Sequence, residues 1–183
     1  LAAAFLTDVP IVALHLTRPA IEVPDRERLG IASHLDASKG AYLIRDYDKR
    51  PHDGVVIVRG TSSTNTVVSV LDEISSKYNV KIISAISWEL FDRQTSDYKS
   101  SIIKDQEWAD SMVITNTGLS VMKNWVSNRV VSDYSLSPDW DNRWRTGGSL
   151  EQIIDEAHLS PRWVMEAINK FATERGDRLE RLK

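Results

Sequence analysis

The chain has 183 residues, of which 42% are hydrophobic and 27% are charged, and its formal net charge at pH 7 is -3. This composition is typical of a protein with a packed core, and the acidic balance argues against a dedicated nucleic-acid binder. Because the chain has no cysteine, disulfide frameworks, thiolate metal sites and cysteine nucleophiles are excluded. No apolar stretch reaches the roughly 18 residues that a membrane-spanning helix needs.

The first residues form an apolar, alanine-rich run at positions 1–6. No basic residue precedes this run, and Asp8 and Pro10 interrupt it, so it does not have the form of a secretory signal. We predict the last turns of a helix here, then a turn at residues 7–10 and a strand at residues 11–16. We therefore expect the chain to be a fragment of a longer protein.

Residues 17–40 carry Pro19, Pro24 and Gly30 among many charges and have no sustained period, which predicts a linker. Beyond the linker, short apolar runs alternate with longer amphipathic segments. Strands are predicted at residues 41–47, 55–58, 80–86, 112–115 and 129–134. Helices are predicted at residues 61–79, 87–103, 119–126, 150–157 and 161–175.

The last two predicted helices have clear start signals. Ser149 and Gln152 have the spacing of a capping box, and Ser160 followed by Pro161 places an N-cap before a proline at the first helical position. Strands alternate with helices, and the continuous apolar run at residues 55–58 indicates a strand that is buried on both faces. We therefore predict a three-layer α/β/α fold with a mainly parallel sheet of about five strands, beginning near Lys39.

The turn at residues 59–63 (Arg-Gly-Thr-Ser-Ser) follows a buried strand and opens a helix. Backbone N–H groups at such a helix start can hold a phosphate. The turn has neither the full GxGxxG pattern nor the lysine of a Walker motif. An ordinary strand-to-helix turn with a Ser or Thr N-cap explains the same residues.

The four histidines are isolated from one another, in no spacing that places two imidazoles on one metal ion. They are His15, His34, His52 and His158. We interpret His158 as a residue at the C-terminal turn of a helix, and His15, in a predicted strand, as the histidine most worth testing. No GxSxG elbow marks a nucleophile, and the adjacent carboxylates Asp72–Glu73 and Asp155–Glu156 fit solvated helix faces.

Two further features carry arginine. The segment 140–145 (Trp-Asp-Asn-Arg-Trp-Arg) could stack on nucleic-acid bases, but without a wider basic field it fits better a loop that folds back on the domain or packs on a partner. Arg18 follows the predicted strand 11–16, at the strand end where α/β sheets commonly bind ligands. Its guanidinium could grip a phosphate through two parallel hydrogen bonds, or form a surface salt bridge.

Several segments, taken in chain order, resemble the transketolase family. Asp8, Pro10 and the following segment that ends at Thr17-Arg18 resemble the last helix and strand of the pyrimidine-binding domain of transketolases. Residues 40–43 (Gly-Ala-Tyr-Leu) resemble the opening of the family's C-terminal domain. Residues 56–62 (Val-Ile-Val-Arg-Gly-Thr-Ser) resemble the apolar strand and turn that follow.

The most specific match lies at residues 88–94 (Trp-Glu-Leu-Phe-Asp-Arg-Gln) and at Tyr98, where transketolases carry a Phe-Asp-x-Gln segment and then a tyrosine. Residues 149–154 resemble the closing helix of the family. The sequence departs from the family pattern at three places, and these departures bear on the choice of substrate more than on the fold. The chain has Asn-Thr-Gly at 116–118 instead of Glu-Ala-Gly, the 140–145 segment instead of Phe-Gly-x-Ser-Ala-Pro, and Pro19-Ala20 instead of Gln-Asn after the arginine.

The resemblance implies that residues 1–38 are the tail of a pyrimidine-binding domain with a linker, and that residues 39–183 are a transketolase C-terminal domain. It implies a transferase that moves a two-carbon ketol unit between sugar phosphates, using thiamine diphosphate and Mg²⁺. In the family, other domains hold the cofactor, the metal and the activating glutamate. We therefore expect this chain to have no catalytic, cofactor-binding or metal-binding residue and to be inactive alone, with a structural role at the dimer.

Arg18 is the one residue that the resemblance assigns to the substrate, as a ligand of the sugar phosphate. The resemblance implies as partners the N-terminal and pyrimidine-binding domains of a transketolase and a second copy of the chain in a homodimer. It also implies a cytoplasmic enzyme of the pentose phosphate pathway that binds neither nucleic acid nor a membrane. Two alternatives stay open. One is the same domain from a 1-deoxyxylulose-5-phosphate synthase or the beta subunit of a 2-oxo acid dehydrogenase, and the other is a non-enzymatic interaction or ligand-sensing module.

Overall fold

The computed structural model describes residues 2–8, 11–17, 19–145 and 147–183, so Arg18 lies outside the described residues. The helices are α1 (Ala2–Phe5), α2 (Arg26–Leu29), α3 (Thr61–Ser69), α4 (Leu71–Lys77), α5 (Trp88–Asp92), α6 (Ser96–Ile102), α7 (Asp105–Ala109), α8 (Arg129–Tyr134), α9 (Leu150–Glu156), α10 (Pro161–Thr173) and α11 (Arg175–Glu180). Short 3₁₀ helices span His34–Lys39 and Leu119–Met122, and the strands are β1 (Ala41–Arg45), β2 (Gly54–Arg59), β3 (Val80–Ala85) and β4 (Ser111–Thr115). None of the helices described is long and apolar enough to span a bilayer.

The four strands form one sheet in the order β1-β3-β2-β4. Strand β2 runs parallel to β3 on one side and to β4 on the other, and β1 joins β3 in antiparallel orientation. Every residue of β3 and β4 is buried, which is the burial expected of strands covered on both faces. The predicted α/β fold with a mainly parallel sheet is confirmed, with four strands instead of five.

Alternate residues of each strand point to opposite faces of the sheet, and helices cover both of these faces. On one face, Val56 and Val58 of β2 pack in a core with residues of α3, α4 and α10. On the other face, Val55 and Ile57 pack with residues of α5, α6 and α8. The result is the predicted arrangement of three layers.

The prediction of a strand at residues 129–134 is wrong, because this segment is helix α8. The Asn128 side chain accepts a hydrogen bond from the backbone N–H of Val131 at 2.9 Å and so caps the helix. The place beside β4 belongs instead to Leu136, whose N–H donates to the carbonyl of Val113 at 2.8 Å and whose carbonyl accepts from Thr115 at 3.0 Å. Two adjacent valines raise strand propensity, but here the cap and the packing of Val131 against the sheet determine the structure.

Three predicted helices differ in their continuity. The segment 61–79 divides into α3 and α4 at Val70, whose φ of -114° and ψ of 14° are not helical. The segment 87–103 divides into α5 and α6, since the Thr95 side chain caps α6 by accepting from Tyr98 N–H. The segment 119–126 contains a 3₁₀ helix, Leu119–Met122.

The strand predicted at residues 11–16 is not formed in this chain on its own, since the described residues 11–17 form no strand. Ile11 is 84% exposed and Leu16 is 80% exposed. A strand needs a hydrogen-bonded neighbour, and no strand of the described sheet pairs with this segment. The segment therefore presents apolar side chains to solvent.

Candidate functional site

The carboxyl ends of β2 and β4 face a crevice, which is where open α/β sheets place their ligands. Gly60 ends β2 with a φ of 93°, in the region that favours glycine. A Cβ at this position would lie 1.9 Å from Oδ1 of Asn116, which follows β4. Asn116 Nδ2 donates to Ser62 Oγ at 2.9 Å, so the two strand ends are joined across the crevice.

The first turn of α3 forms one wall of this crevice. Its N-cap is Gly60, so no side chain accepts hydrogen bonds from the first N–H groups. Ser63 in this turn is only 2% exposed, and its Oγ has no hydrogen-bond partner among the described residues. Deeper in the helix, Thr66 Oγ1 donates to the carbonyl of Ser62 at 3.1 Å.

Arg145 also lines this crevice, and it ties together the loop that precedes it. Its Nη1 and Nη2 donate to the two carboxylate oxygens of Asp141 at 3.0 and 2.7 Å, and Nη2 also donates to the carbonyl of Pro138 at 2.6 Å. Hydrogen bonds from Arg145, with a smaller contribution from Arg143, hold the pKa of Asp141 well below its usual range. The Arg145 Nε atom is buried and has no partner among the described residues.

A cavity of about 190 Å³ lies in this crevice. Ser62, Ser63, Asn116 and Arg145 give it polar groups, and Pro138 closes it beside Arg145. Residues of α9 and of the turn that follows it complete the lining with apolar side chains, namely Ile153, Ile154, Ala157 and Leu159.

An aromatic stack stands beside the cavity. The His158 ring lies between Trp140 and Trp163, with centroid distances of 4.1 and 3.8 Å and interplanar angles of 16° and 19°. His158 follows α9 with a φ of 57°. The structure therefore places it at the predicted helix end and shows in addition that it fixes the 140–145 loop, which folds back on the domain through Trp140. Trp144 of that loop is 94% exposed.

The structure does not bring the other histidines to this site. The His52 ring stacks on Tyr47 at 3.8 Å, His34 lies in a 3₁₀ helix, and His15 is exposed in the 11–17 segment. Within the described ranges, no group of three or more His, Cys, Asp or Glu side chains could hold a metal ion.

Sequence reasoning identified the 59–63 turn and the 140–145 loop but did not bring them together. It also missed Ser63 and Arg145 as partners in one cavity. The only signal for Ser63 was its place in the first turn of a helix whose N-cap is glycine. Arg145 lies 82 positions further along the chain, and only the tertiary fold puts both on the same cavity.

The segments that carry the family resemblance are structural. Gly40 passes so close to α5 that a Cβ would lie 2.2 Å from the backbone nitrogen of Phe91. Phe91 is buried in the core. Gln94 Nε2 donates to the carbonyl of Leu90 at 2.8 Å, and the Tyr98 hydroxyl donates to the carbonyl of Ala41. These residues join β1 to α5 and α6.

Comparison with known proteins agrees with this geometry. Residues 40–134 match the family described as "Transketolase-like TK C-terminal domain". The chloroplastic transketolase of Craterostigma plantagineum is 30% identical over 98 residues, which are 51% of this chain and 19% of that protein. The transketolase of Buchnera aphidicola subsp. Schizaphis graminum is 38% identical over 117 residues, 64% of this chain and 14% of that protein. The chain thus spans only a small part of the length of these relatives.

Solved structures give the same fold. The transketolase from Leishmania mexicana superimposes with a TM-score of 0.59 at 14% identity, over 78% of this chain and 19% of that chain. The transketolase from Pichia stipitis in complex with sedoheptulose 7-phosphate gives a TM-score of 0.58 at 20% identity, over 81% of this chain and 20% of that chain. Because the family match covers more than half of the sequence and the fold agrees with it, the chain belongs to the transketolase family through that family's C-terminal domain.

Proposed function

We propose that this chain supplies the C-terminal domain of a cytoplasmic transketolase, an enzyme that moves a two-carbon ketol unit between sugar phosphates with thiamine diphosphate and Mg²⁺. In this proposal residues 39–183 are the C-terminal domain, and residues 1–38 are the tail of the pyrimidine-binding domain with its linker. The chain acts at a homodimer, as a structural part of the enzyme, and it is inactive without the domains that bind the cofactor.

The observation that carries the proposal is the contrast between a complete domain and an uncovered apolar segment before it. The domain from β1 to α11 has its own core on both faces of the sheet. By contrast, Phe5, Ile11 and Leu16 are between 72% and 84% exposed. Apolar surface in water costs roughly 25 cal/mol per Å², so a series of such side chains is typical of a surface that another domain covers.

In this proposal that other domain is the pyrimidine-binding domain, since residues 8–18 resemble its last turn and strand. Within its own sheet this segment would gain the hydrogen-bonded neighbour that it lacks here. The carboxyl end of the strand would then bring Arg18 to the substrate crevice of the assembled enzyme. There a planar, permanently charged guanidinium suits the phosphate of the sugar substrate.

An assay of ketol transfer from a ketose phosphate to an aldose phosphate tests the proposal. The chain alone should show no transfer and no saturable binding of thiamine diphosphate with Mg²⁺ by titration calorimetry. Addition of a polypeptide that contains the N-terminal and pyrimidine-binding domains of the same transketolase should give cofactor binding and activity. Micromolar cofactor binding by the chain alone, or no activity in the complete mixture, would overturn the proposal.

A further inference from the structure

A second pocket lies outside the crevice described above, on the face of the sheet that α5 and α6 cover. Residues of α5, α6 and α7 line it, and we call it the α5–α7 pocket. Its volume is about 390 Å³, which falls within the range of roughly 300–1,000 Å³ for small-molecule sites. The pocket is therefore large enough for an organic ligand.

Two indole rings form a corner of the α5–α7 pocket. Trp88 and Trp108 both line it, with ring centroids 6.0 Å apart and ring planes at 69° to each other. Both side chains are partly exposed, whereas Trp125, against which both pack, is buried. A ligand in the pocket can therefore reach the two rings. Indole is the aromatic ring that attracts cations most strongly, because its faces are electron-rich.

The charged side chains of the pocket leave one negative charge unbalanced. Lys99 Nζ donates to the backbone carbonyl of Asp92 at 3.1 Å and lies 3.4 Å from the carboxylate Oδ1 of the same residue. Asp105, the first residue of α7, also lines the pocket and is exposed. The ion pairs nearby join Lys99 to Asp92 and Lys81 to Glu107, which leaves Asp105 without one among the described residues. Two carboxylates against one ammonium favour a ligand with a single positive charge.

The cation that suits this lining is organic. Mg²⁺ and Ca²⁺ need several oxygen ligands, and within the described ranges no three acidic or histidine side chains come together to hold a metal ion. A primary ammonium is a compact, strongly hydrated charge, and indole carbons cannot replace its water. A quaternary ammonium has no N–H group that needs an acceptor, and its methyl groups contact aromatic rings directly. Aromatic sites select this type of cation.

Helix α6 adds two hydroxyl groups to the lining. Ser96 and Ser100 are four positions apart and so share one face of the helix. Both side chains are exposed and line the pocket. A hydroxyl can donate or accept a hydrogen bond, so these serines suit a ligand tail that carries a hydroxyl of its own.

We infer that the α5–α7 pocket binds a small organic cation with a quaternary ammonium head and a short hydroxylated tail. The head lies in the corner of Trp88 and Trp108, where the Asp105 carboxylate balances its charge. The tail exchanges hydrogen bonds with the serines of α6. This site belongs to the C-terminal domain itself and goes beyond the ketol transfer proposed above.

Choline is the probe for the test, with the full 183-residue chain and with binding followed by calorimetry and by NMR. Saturable binding with a Kd of about 1 mM is expected. The indole N–H signals of Trp88 and Trp108 should shift, while that of Trp144, which is 94% exposed in the 140–145 loop, should not.

Two relatives of choline separate charge from shape. The alcohol 3,3-dimethylbutan-1-ol has the shape of choline without its charge, and 2-aminoethanol has a charge and a hydroxyl without the methyl groups. Each should bind about tenfold more weakly than choline. Equal binding of the alcohol would mean that charge has no role, and equal binding of 2-aminoethanol would mean that the site does not select a quaternary head. Either result overturns the inference.

Three variants test the charges of the pocket. Asp105→Asn should weaken choline binding about twofold to fivefold. Asp97→Asn is the matched control, because Asp97 is an exposed carboxylate in the first turn of α6 that does not line the pocket, and it should leave the Kd unchanged. Lys99→Gln removes the positive charge of the lining and should strengthen binding by a similar factor.

The inference is overturned if choline shows no saturation up to about 20 mM, or if the shifted indole signals belong to tryptophans outside the pocket. It is overturned as well if Asp105→Asn and Asp97→Asn change the Kd equally, or if Lys99→Gln weakens binding.

Discussion

The Tyr98 hydroxyl donates a hydrogen bond to the backbone carbonyl of Ala41 at 2.7 Å and thereby fastens α6 to the first residue of β1. Ala41 is completely buried, so water cannot replace the hydroxyl as a donor to this part of the chain. The Lys39 Nζ atom lies 4.6 Å from the centroid of the Tyr98 ring. Two segments that are far apart in the sequence, and that both resemble the family, therefore meet at one contact.

Tyr98→Phe should lower the free energy of unfolding by about 1 kcal/mol, because it removes the donor to a buried carbonyl. Urea unfolding followed by circular dichroism measures the change. Tyr78→Phe is the matched control, since the Tyr78 hydroxyl donates to Asn169 Oδ1 at an exposed position. Equal losses of unfolding free energy in the two variants would show that the hydrogen bond to Ala41 stabilises the chain no more than the exposed one does.

The same tyrosine should make the stability of the chain depend on pH in the alkaline range. Burial raises the pKa of Tyr98, and the nearby charge of Lys39 opposes this only in part. The folded state therefore prefers the protonated hydroxyl, and this preference stabilises the fold fully below the ordinary tyrosine pKa of about 10. It is lost as the pH rises through the raised pKa. The stability difference between the wild-type chain and Tyr98→Phe should thus shrink above about pH 10, and a difference that grows there would contradict the assignment.

Gly60→Ala should destabilise the chain by more than about 2 kcal/mol, because a Cβ adds strain at a positive φ and meets Asn116 Oδ1 at 1.9 Å. Gly147→Ala is the control, since a Cβ there meets nothing within 4 Å. The double variant Gly60→Ala/Asn116→Ala removes the collision and leaves the strain. Its loss of unfolding free energy should be smaller than the sum of the losses in the two single variants by at least about 0.5 kcal/mol. Strictly additive losses would exclude the contact between residue 60 and Asn116.

Asp110→Ala should destabilise the chain by about 3–5 kcal/mol, because it leaves the buried guanidinium of Arg178 without its carboxylate partner. Arg178 is 1% exposed and donates to Asp110 through Nη1, and burial lowers the pKa of Arg178. Asp133→Ala breaks the exposed pair with Arg181 and should cost less than about 1 kcal/mol. Thermal unfolding of the two variants gives the comparison, and a similar small loss in both would mean that Arg178 finds another partner.

The layered sheet was predictable because its strands are short segments rich in apolar residues. Residues 55–58 and 80–86 are recognisable as buried strands without knowledge of their neighbours. The segment 129–134 was not, since its two valines are equally compatible with a strand and with the helix that Asn128 caps. Local propensity is a weak guide wherever packing and capping decide the structure.

The cavity was predictable only in its parts. The glycine turn before α3 and the arginines of the 140–145 loop are visible in the sequence. The pairing of β2 with β4 brings Asn116 beside Gly60 at the same crevice. That pairing, like the approach of the 140–145 loop, exists only in the folded chain. The pair of Asp110 and Arg178 is 68 positions apart, and no periodicity or motif connects two such residues before the chain folds.

Hydrogen exchange of the chain alone should separate the N-terminal segment from the domain. Amides of residues 11–16 should exchange fast, because no strand of the described sheet pairs with them. Amides of residues 55–58 should be protected, since β2 has hydrogen-bonded neighbours on both sides. Addition of the N-terminal and pyrimidine-binding domains should slow exchange in residues 11–16 and leave β2 unchanged. Protection of both segments in the chain alone would mean that the first pairs with a second copy.

Arg18 carries the last prediction, which concerns the assembled enzyme. The resemblance assigns it to the sugar phosphate, and it follows the segment that we propose to complete the sheet of the pyrimidine-binding domain. A charge-assisted contact of this kind contributes about 1.5–3 kcal/mol. Arg18→Ala should therefore raise KM for phosphorylated substrates about tenfold to a hundredfold and leave kcat nearly unchanged, since it removes binding that substrate and transition state share. Arg18→Lys keeps the charge but loses the two parallel hydrogen bonds, so its KM should lie between those of the wild-type enzyme and Arg18→Ala. A non-phosphorylated ketose should show the same KM in all three enzymes. If the KM for the phosphorylated substrate does not change in Arg18→Ala, then the guanidinium does not bind the phosphate.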